Sequence, residues 1–228
     1  MNRIEMVVFD MAGTTLRDDH GVNRVIRQSL EAVGLAADPA DVNRVMGLPK
    51  RQALSILIDL HGRTHDLGPR VEEIHADLVQ RSVAFYSTDP SIREVEGASD
   101  LFQRLRAAGI RVALNTGFDR RITEAILDRL GWRDRVDATI SSDEVERGRP
   151  HPDMIRALMK RLGITESQKI AKVGDTPADL GEGQAAGCGV NVGVFGATHS
   201  RAELEACPHT HLIEDLRPLS AILGLANS

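Results

Sequence analysis

The chain has 228 residues, of which 42% are hydrophobic and 27% charged, so it is too apolar for a disordered protein and long enough for one large domain or two modest ones. Its net charge of −5 and its aromatic content of 3% exclude a broad basic surface and a base-stacking platform for nucleic acid. The two cysteines cannot build a disulfide framework or a thiolate zinc site, and they fit a reducing compartment.

No membrane-spanning or targeting segment is visible in the sequence. Residues 183–200 carry no charge, but glycines and polar side chains interrupt them too often for a membrane span. The apolar stretch before Asp10 is too short for the core of a signal peptide. We therefore expect a soluble cytoplasmic protein with neither a membrane nor a nucleic-acid partner.

The chain opens with a buried strand, predicted over residues 4–9, and then enters an interval of helical patterns only. Between residues 19 and 87, helices are predicted over residues 22–33, 41–46, 51–60 and 70–86. A helical block placed between the first strand and the rest of a sheet is typical of an inserted subdomain. It would lie over the carboxyl ends of the strands, where open α/β sheets bind ligands. We predict an inserted α-helical cap over residues 19–87.

After this interval, short apolar runs alternate with amphipathic segments. Strands are predicted over residues 111–115, 138–141, 169–173 and 189–194, and helices over residues 98–108, 120–130, 152–162 and 178–186. This alternation, with strands that are apolar throughout, favours an α/β fold whose parallel sheet is covered on both faces. Residues 1–18 and 88–228 would form this core.

The first candidate for chemistry is Asp10, which directly follows the first strand in the run VVFDMAGTT. Gly13 and Thr14 after it favour a tight turn, so the carboxylate is well placed as a nucleophile or a metal ligand. Its alternative interpretation is a simple turn cap.

Two more carboxylates follow the strand at residues 169–173, in the run GDTPAD. Asp175 stands at the strand end, and Asp179 lies near the start of the next helix. The pair could also serve only as an N-cap and a first-turn acid on the helix dipole. Together with Asp10, however, these carboxylates offer the oxygen ligands that Mg²⁺ prefers, with the remaining positions left to water and a substrate phosphate.

Two further positions suit phosphate binding. Thr116 and Gly117 end a strand just before a helix, where a hydroxyl and free backbone N–H groups form a natural phosphate cradle. Arg149 stands in a proline-rich turn ahead of another helix, and its guanidinium can neutralise a phosphate through two parallel hydrogen bonds. A plain surface arginine is the alternative for Arg149.

Four motifs follow one another along the chain: an aspartate after a strand (Asp10), a threonine at a strand end (Thr116), a basic residue before a helix (Arg149) and the run GDTPAD after a strand. Their order resembles that of the haloacid dehalogenase superfamily. The resemblance covers essentially the whole chain and implies a Rossmann-like core with an inserted cap. It also implies that Asp10 attacks phosphorus to form an aspartyl-phosphate. Magnesium would be held at Asp10, Ala12 and Asp175, with Asp179 behind them, and the phosphoryl group would contact Thr116, Gly117, Arg149, Met46 and Ala12.

Two residues depart from the general pattern of that superfamily, and they indicate one branch of it. Ala12 stands where a second aspartate usually protonates the leaving group, and Arg149 stands where lysine is usual. Both features look like the phosphonatase branch, the phosphonoacetaldehyde hydrolases and their close relatives. Alanine cannot act as a general acid, whereas cleavage of a carbon–phosphorus bond needs an electron sink, which a lysine Schiff base supplies.

The lysine for this role is Lys50, in the segment VMGLPK, which looks like the Met-Gly-Leu-x-Lys stretch of that branch. Pro49 is predicted at the first helical position, which puts Lys50 in the first turn, where the helix dipole disfavours an ammonium. A solvated lysine at a helix start is the alternative. Three neighbours also depart from the branch: Ala53, Phe118 and His20 replace its histidine, tyrosine and cysteine.

The sequence thus predicts a Mg²⁺-dependent hydrolase that cleaves a small carbonyl phosphonate through Asp10 and Lys50. One alternative is a phosphatase of the same superfamily that acts on a small phosphate ester. Another is a non-catalytic phosphate-binding protein with the same fold. The resemblance also implies a homodimer formed through the cap helix at residues 22–33.

Overall fold

The computed structural model describes residues 3–61 and 67–225. Its strands are β1 Met6–Phe9, β2 Leu16–Arg17, β3 Arg93–Glu94, β4 Arg111–Thr116, β5 Ala138–Ser141, β6 Ile170–Gly174, β7 Val190–Val194 and β8 His211–Ile213. Its α-helices are α1 Gly21–Glu31, α2 Pro39–Arg44, α3 Lys50–Leu60, α4 Val71–Thr88, α5 Ala98–Ala107, α6 Arg120–Leu130, α7 Asp153–Leu162, α8 Pro177–Ala186, α9 Arg201–Glu205 and α10 Leu219–Ile222. Short 3₁₀ helices cover Gly68–Arg70, Ser142–Glu144 and Ser167–Lys169.

Six parallel strands form one sheet in the order β5-β4-β1-β6-β7-β8. In its centre, Phe9 of β1 pairs with Leu114 of β4 on one side and with Val173 of β6 on the other. Every residue of β1 and β6 is buried because helices cover both faces of the sheet. The predicted α/β class is confirmed, and each predicted strand is present.

Alternate residues of β1 serve two different hydrophobic clusters. Val7 and Phe9 belong to the larger one, which extends into the helical block, while Met6 and Val8 face a smaller one. Side chains of a strand point to opposite faces in turn, so a continuous apolar run is what a doubly covered strand requires. Strand β1 is therefore packed against apolar side chains on both of its faces.

Helices α1 to α4 form a block inserted between β2 and β3. The two connections to the block pair with each other as a short antiparallel ribbon, with Leu16 opposite Glu94, which the sequence analysis did not predict. On the far side, α4 approaches α6, where His75 Nε2 lies 3.1 Å from Asp119 Oδ1. The helices of the block lie where the cap is predicted, and its boundaries at residues 19 and 87 stay a prediction.

No helix within the described ranges is both long and apolar enough to cross a membrane.

Candidate active site

The carboxyl ends of β1, β4 and β6 bring together the polar residues singled out in the sequence. Asp10 follows β1, Thr116 ends β4 and Asp175 follows β6, and all three side chains are buried. The Asp10 amide donates to the carbonyl of Val173 at 2.8 Å, which ties the start of the loop to β6. Because the three strands are neighbours, side chains more than 160 residues apart in the chain share one site.

The loop after Asp10 turns tightly over Asp175. Gly13 adopts a positive φ of 92°, and a Cβ atom at this residue would lie 2.1 Å from Asp175 Oδ2. The hydroxyl of Thr14 donates to Asp175 Oδ1 at 3.1 Å, and the hydroxyl of Thr15 donates to the Asp10 carbonyl at 2.8 Å. Only glycine allows both the backbone conformation and this close approach, so Gly13 places the two carboxylates side by side.

Arg149 is almost fully buried and reaches Asp10 directly. Its Nη1 donates to Asp10 Oδ1 at 2.6 Å and lies 2.9 Å from Asp179 Oδ1. Burial raises the pKa of Asp10 to about 6, although the positive charge of Arg149 opposes this shift. Arg149 was predicted to contact the phosphoryl group, and that role stays a prediction. The contact present in the structure is with the carboxylate of Asp10.

Three carboxylates could hold a divalent cation. Oxygen atoms of Asp10, Asp175 and Asp179 lie within 4.8 Å of one another. Asp175 Oδ2 is buried without a hydrogen-bond partner among residues 3–61 and 67–225. Burial, together with the charges of Asp10 and Asp179, raises the pKa of Asp175, and a cation would offset this cost. The donor set therefore fits Mg²⁺, which takes oxygen ligands.

The carboxylate of Asp179 is already engaged by other groups. Its Oδ1 lies 2.8 Å from Lys172 Nζ as well as near Arg149, and its Oδ2 accepts from the hydroxyl of Thr176 at 2.6 Å. Burial alone would raise the pKa of Asp179, but the charges of Arg149 and Lys172 lower it. Asp179 was predicted to stand behind a metal held by Asp10 and Asp175, and that role stays a prediction. Ala12 could contribute only its backbone carbonyl.

Lys50 enters the site from the helical block as the first residue of α3. Pro49 was predicted as the first helical residue, but it is the N-cap, and the helix begins one residue later at Lys50. The ψ of 137° at Pro49 is non-helical. The Lys50 side chain is buried, with Nζ 5.0 Å from the centre of the Phe118 ring and 3.5 Å from the carbonyl of Leu48. Burial lowers the pKa of Lys50 to about 8, although the charge of Asp10 opposes the shift.

One narrow cavity is lined by every residue predicted to act on the substrate. Its volume is about 20 Å³, room for little more than one water molecule. The predicted residues that line it are Asp10, Ala12, Met46, Lys50, Thr116, Gly117 and Arg149. Met46 also lines a neighbouring cavity of about 470 Å³, which extends along residues 17–20. A phosphoryl group does not fit beside Asp10 in this arrangement of the helical block and the sheet.

Two glycines of the sheet loops allow the segment around Lys50 to dock closely. A Cβ atom at Gly117 would lie 2.5 Å from the carbonyl oxygen of Leu48, and one at Gly148 would lie 2.4 Å from Cγ of Pro49. Neither glycine has a positive φ, so the reason for glycine at both positions is the space for this segment. The contact brings Lys50 of the helical block towards Asp10 of the sheet.

Gly148→Ala is therefore expected to lower kcat/KM by about 10- to 100-fold, because a small displacement of Lys50 is costly to catalysis. The melting temperature should fall as well, since the added methyl group must displace the Pro49 ring. Steady-state kinetics and thermal unfolding check both statements. Because the new methyl group would meet the Pro49 ring, the double variant Pro49→Ala/Gly148→Ala should recover part of the loss. If it does not, contact with the Pro49 ring is not the cause of the loss.

Three buried residues of the site escaped the sequence analysis: Asn115, Lys172 and Glu182. Asn115 and Lys172 lie on β4 and β6, and Glu182 lies on α8. Lys172 Nζ donates to Asn115 Oδ1 at 2.7 Å, and Asn115 Nδ2 donates to both carboxylate oxygens of Glu182 at 2.9 and 2.8 Å. Lys172 was the available signal: it is the charged residue of an otherwise apolar strand, and a buried lysine is rare without a partner.

The family model of haloacid dehalogenase-like hydrolases matches residues 4–187. The chain belongs to this family of hydrolases. Among curated relatives, the phosphoglycolate phosphatase of Rhodospirillum rubrum is 28% identical over 225 residues, which cover 96% of this chain and 90% of that protein. The phosphonoacetaldehyde hydrolase of Bacteroides fragilis is also 28% identical, over 198 residues that cover 80% of this chain and 73% of that protein.

Solved structures show the same fold. That of a phosphonoacetaldehyde hydrolase-like protein from Oleispira antarctica superimposes with a TM-score of 0.80 at 18% identity, covering 98% of this chain and 92% of that one. The relatives of this haloacid dehalogenase-like hydrolase thus include proteins named for carbon–phosphorus cleavage and for phosphate-ester cleavage.

Proposed function

We propose that this hydrolase cleaves the carbon–phosphorus bond of a small carbonyl phosphonate, with phosphonoacetaldehyde as the first candidate. The observation that carries the proposal is the buried Lys50 amine, which lines the same narrow cavity as Asp10 and Ala12. A phosphatase has no need of an amine there, and the alanine removes the usual proton donor for an alkoxide leaving group. Both features suit a reaction in which an imine takes up the electrons of the broken bond.

In the proposed reaction, neutral Lys50 Nζ adds to the aldehyde, and loss of water gives a protonated imine. Asp10 then attacks phosphorus, and the electron pair of the breaking C–P bond moves into the imine to form an enamine. The enamine takes up a proton and is hydrolysed to acetaldehyde and free Lys50. Water cleaves the aspartyl-phosphate, so that the products are acetaldehyde and inorganic phosphate.

The surroundings of Asp10 and Lys50 suit these steps. Arg149 neutralises Asp10, and Thr116 and Gly117 line the same cavity. A Mg²⁺ ion held by Asp10 and Asp175 would stabilise negative charge on the phosphoryl oxygens. With the ion and Arg149, a protein of negative overall charge can still bind an anionic substrate.

The second candidate is a phosphatase for a small phosphate ester. It is favoured by the similarity to the phosphoglycolate phosphatase, and by Phe118, which offers no hydroxyl beside Lys50. In this case the proton for the leaving group would come from water, from the substrate or from His20, which lines the larger cavity.

The discriminating experiment supplies phosphonoacetaldehyde or phosphoglycolate with Mg²⁺ and measures phosphate release. The phosphonate is expected to give equal amounts of phosphate and acetaldehyde, and borohydride added during turnover should leave a stable adduct on Lys50. Release from phosphoglycolate alone, without an adduct, would establish the phosphatase instead.

The pH dependence of imine formation gives a separate prediction. Because the pKa of Lys50 is lowered to about 8, the fraction of neutral amine rises roughly tenfold per pH unit below this value and levels off above it. The rate of adduct formation from acetaldehyde and cyanoborohydride should follow this curve between pH 6 and 10. An ordinary, exposed lysine would show no plateau until about pH 10.4. A rate that keeps rising through pH 9.5 would contradict the burial of Lys50.

A further inference from the structure

The guanidinium of Arg149 is surrounded by protein acceptors on every side. Its Nε donates to Glu182 at 3.1 Å, and its Nη2 donates to the carbonyl and to the side-chain oxygen of Asn115 at 2.8 and 2.6 Å. Its Nη1 faces Asp10 and Asp179. An arginine has five N–H donors in a rigid fork, so these contacts define one orientation of the group.

Lys172 completes this arrangement from β6. Its Nζ lies 2.8 Å from Asp179 Oδ1, 3.3 Å from Glu182 and 2.7 Å from Asn115 Oδ1. Asn115, Lys172, Asp179 and Glu182 are all 0% exposed. Removing charged groups from water is expensive, and the sheet could be covered with apolar residues instead. A buried network of this kind needs a reason other than stability.

We propose that Glu182, Asn115 and Lys172 are positioning residues that orient the Arg149 guanidinium so that Nη1 faces the carboxylate of Asp10. None of the three residues lines the narrow cavity, and Glu182 and Asn115 contact Arg149 directly. Lys172 also acts on Asp10 through its charge, which lowers the pKa of that carboxyl. Glu182 fixes the Nε side of the fork and Asn115 fixes Nη2. Lys172 holds both of their side chains in place. The inference rests on the proposed role of Asp10 as the phosphoryl acceptor but is independent of Lys50 and of the substrate.

The charges of the network agree with this role. Four buried carboxylates, those of Asp10, Asp175, Asp179 and Glu182, share the site with three buried basic groups, those of Lys50, Lys172 and Arg149. Without Lys172 and Glu182, Arg149 could tilt towards Asp179 and away from Asp10, since both carboxylates lie within 3 Å of Nη1.

The test measures the affinity for beryllium fluoride with Mg²⁺, because this ion mimics an aspartyl-phosphate and needs no knowledge of the substrate. Glu182→Gln keeps the shape of the side chain and is expected to weaken binding by about 10- to 100-fold, as loss of a supporting contact commonly does. In the Arg149→Lys background, which lacks the fork, the same change should cost less than about threefold. Asn115→Ala should show the same dependence on Arg149.

Asn191→Ala is the matched control for Asn115→Ala. Asn191 is also a buried asparagine on a strand of the sheet, but its Nδ2 donates to the carbonyls of Leu180 and Pro208, away from Arg149. Asn191→Ala should lower the midpoint of urea unfolding while leaving affinity for beryllium fluoride unchanged. If Glu182→Gln and Asn115→Ala weaken binding of beryllium fluoride by the same factor in the wild-type and Arg149→Lys backgrounds, the positioning role is overturned. Failure of the unmodified chain to bind the ion through Asp10 would instead refute the phosphoryl-acceptor role and this inference with it.

Discussion

Lys50→Arg is expected to lower turnover of phosphonoacetaldehyde by roughly 10³-fold or more, because the reaction loses its electron sink. Arginine keeps the positive charge and most of the length of the side chain, but its guanidinium stays protonated and cannot form an imine. The borohydride adduct should disappear in the same variant. Phosphate release and intact-mass spectrometry measure the two effects.

Lys160→Arg is the matched control for this prediction. It makes the same substitution at an exposed position of α7, and turnover should stay at the wild-type level. Lys50→Arg should also retain binding of beryllium fluoride, which depends on Asp10 and not on the amine. Normal turnover of the phosphonate by Lys50→Arg would rule out the Schiff base, and unchanged hydrolysis of phosphoglycolate would point to the phosphatase.

Asp10→Asn should abolish phosphate release from phosphonates and esters alike, by roughly 10⁴-fold or more, since an amide cannot replace the carboxylate nucleophile. The variant should also lose binding of beryllium fluoride. The loss has to be independent of the leaving group, because both candidate reactions pass through the same aspartyl-phosphate. Parallel assays with phosphonoacetaldehyde and phosphoglycolate test this point.

Asp18→Asn serves as the control at a neighbouring carboxyl group. Burial raises the pKa of Asp18 as well, and its Oδ1 accepts from the hydroxyl of Tyr86 at 2.7 Å, outside the narrow cavity. This variant should still bind beryllium fluoride, even if it melts at a lower temperature. An Asp10→Asn protein that is folded and still releases phosphate would contradict the assignment of the nucleophile.

Much of the architecture was predictable because local sequence signals and the fold agree. Apolar runs such as that ending in Phe9 predict strands covered on both faces, and the polar residue after each strand predicts the edge at which a site forms. Thus Asp10, Thr116 and Asp175 could be placed at one edge before the structure was known. Their spatial proximity follows from the order of β4, β1 and β6.

Other features depend on contacts between distant segments. The ribbon of β2 and β3 contains only two residues in each strand, too few for a periodic signal. The partners of Arg149 could not be predicted from spacing, because Asn115 and Glu182 come from different elements and meet only in the folded sheet. The same holds for Gly148, whose contact with Pro49 appears only when the helical block is docked.

The ribbon of β2 and β3 joins the two ends of the helical block, and this affects how such an enzyme can diversify. The chain leaves the sheet and returns to it at adjacent points, with Arg17 opposite Arg93, so everything between them is attached as a single module. Asp10 lies outside this module and Lys50 lies inside it. Under the proposed function, exchanging the module at Arg17 and Arg93 would replace the residue that acts on the carbonyl group of the substrate and leave the proposed nucleophile in place. Recombination at these two positions could therefore change which bond of a substrate is cleaved while Asp10 is retained.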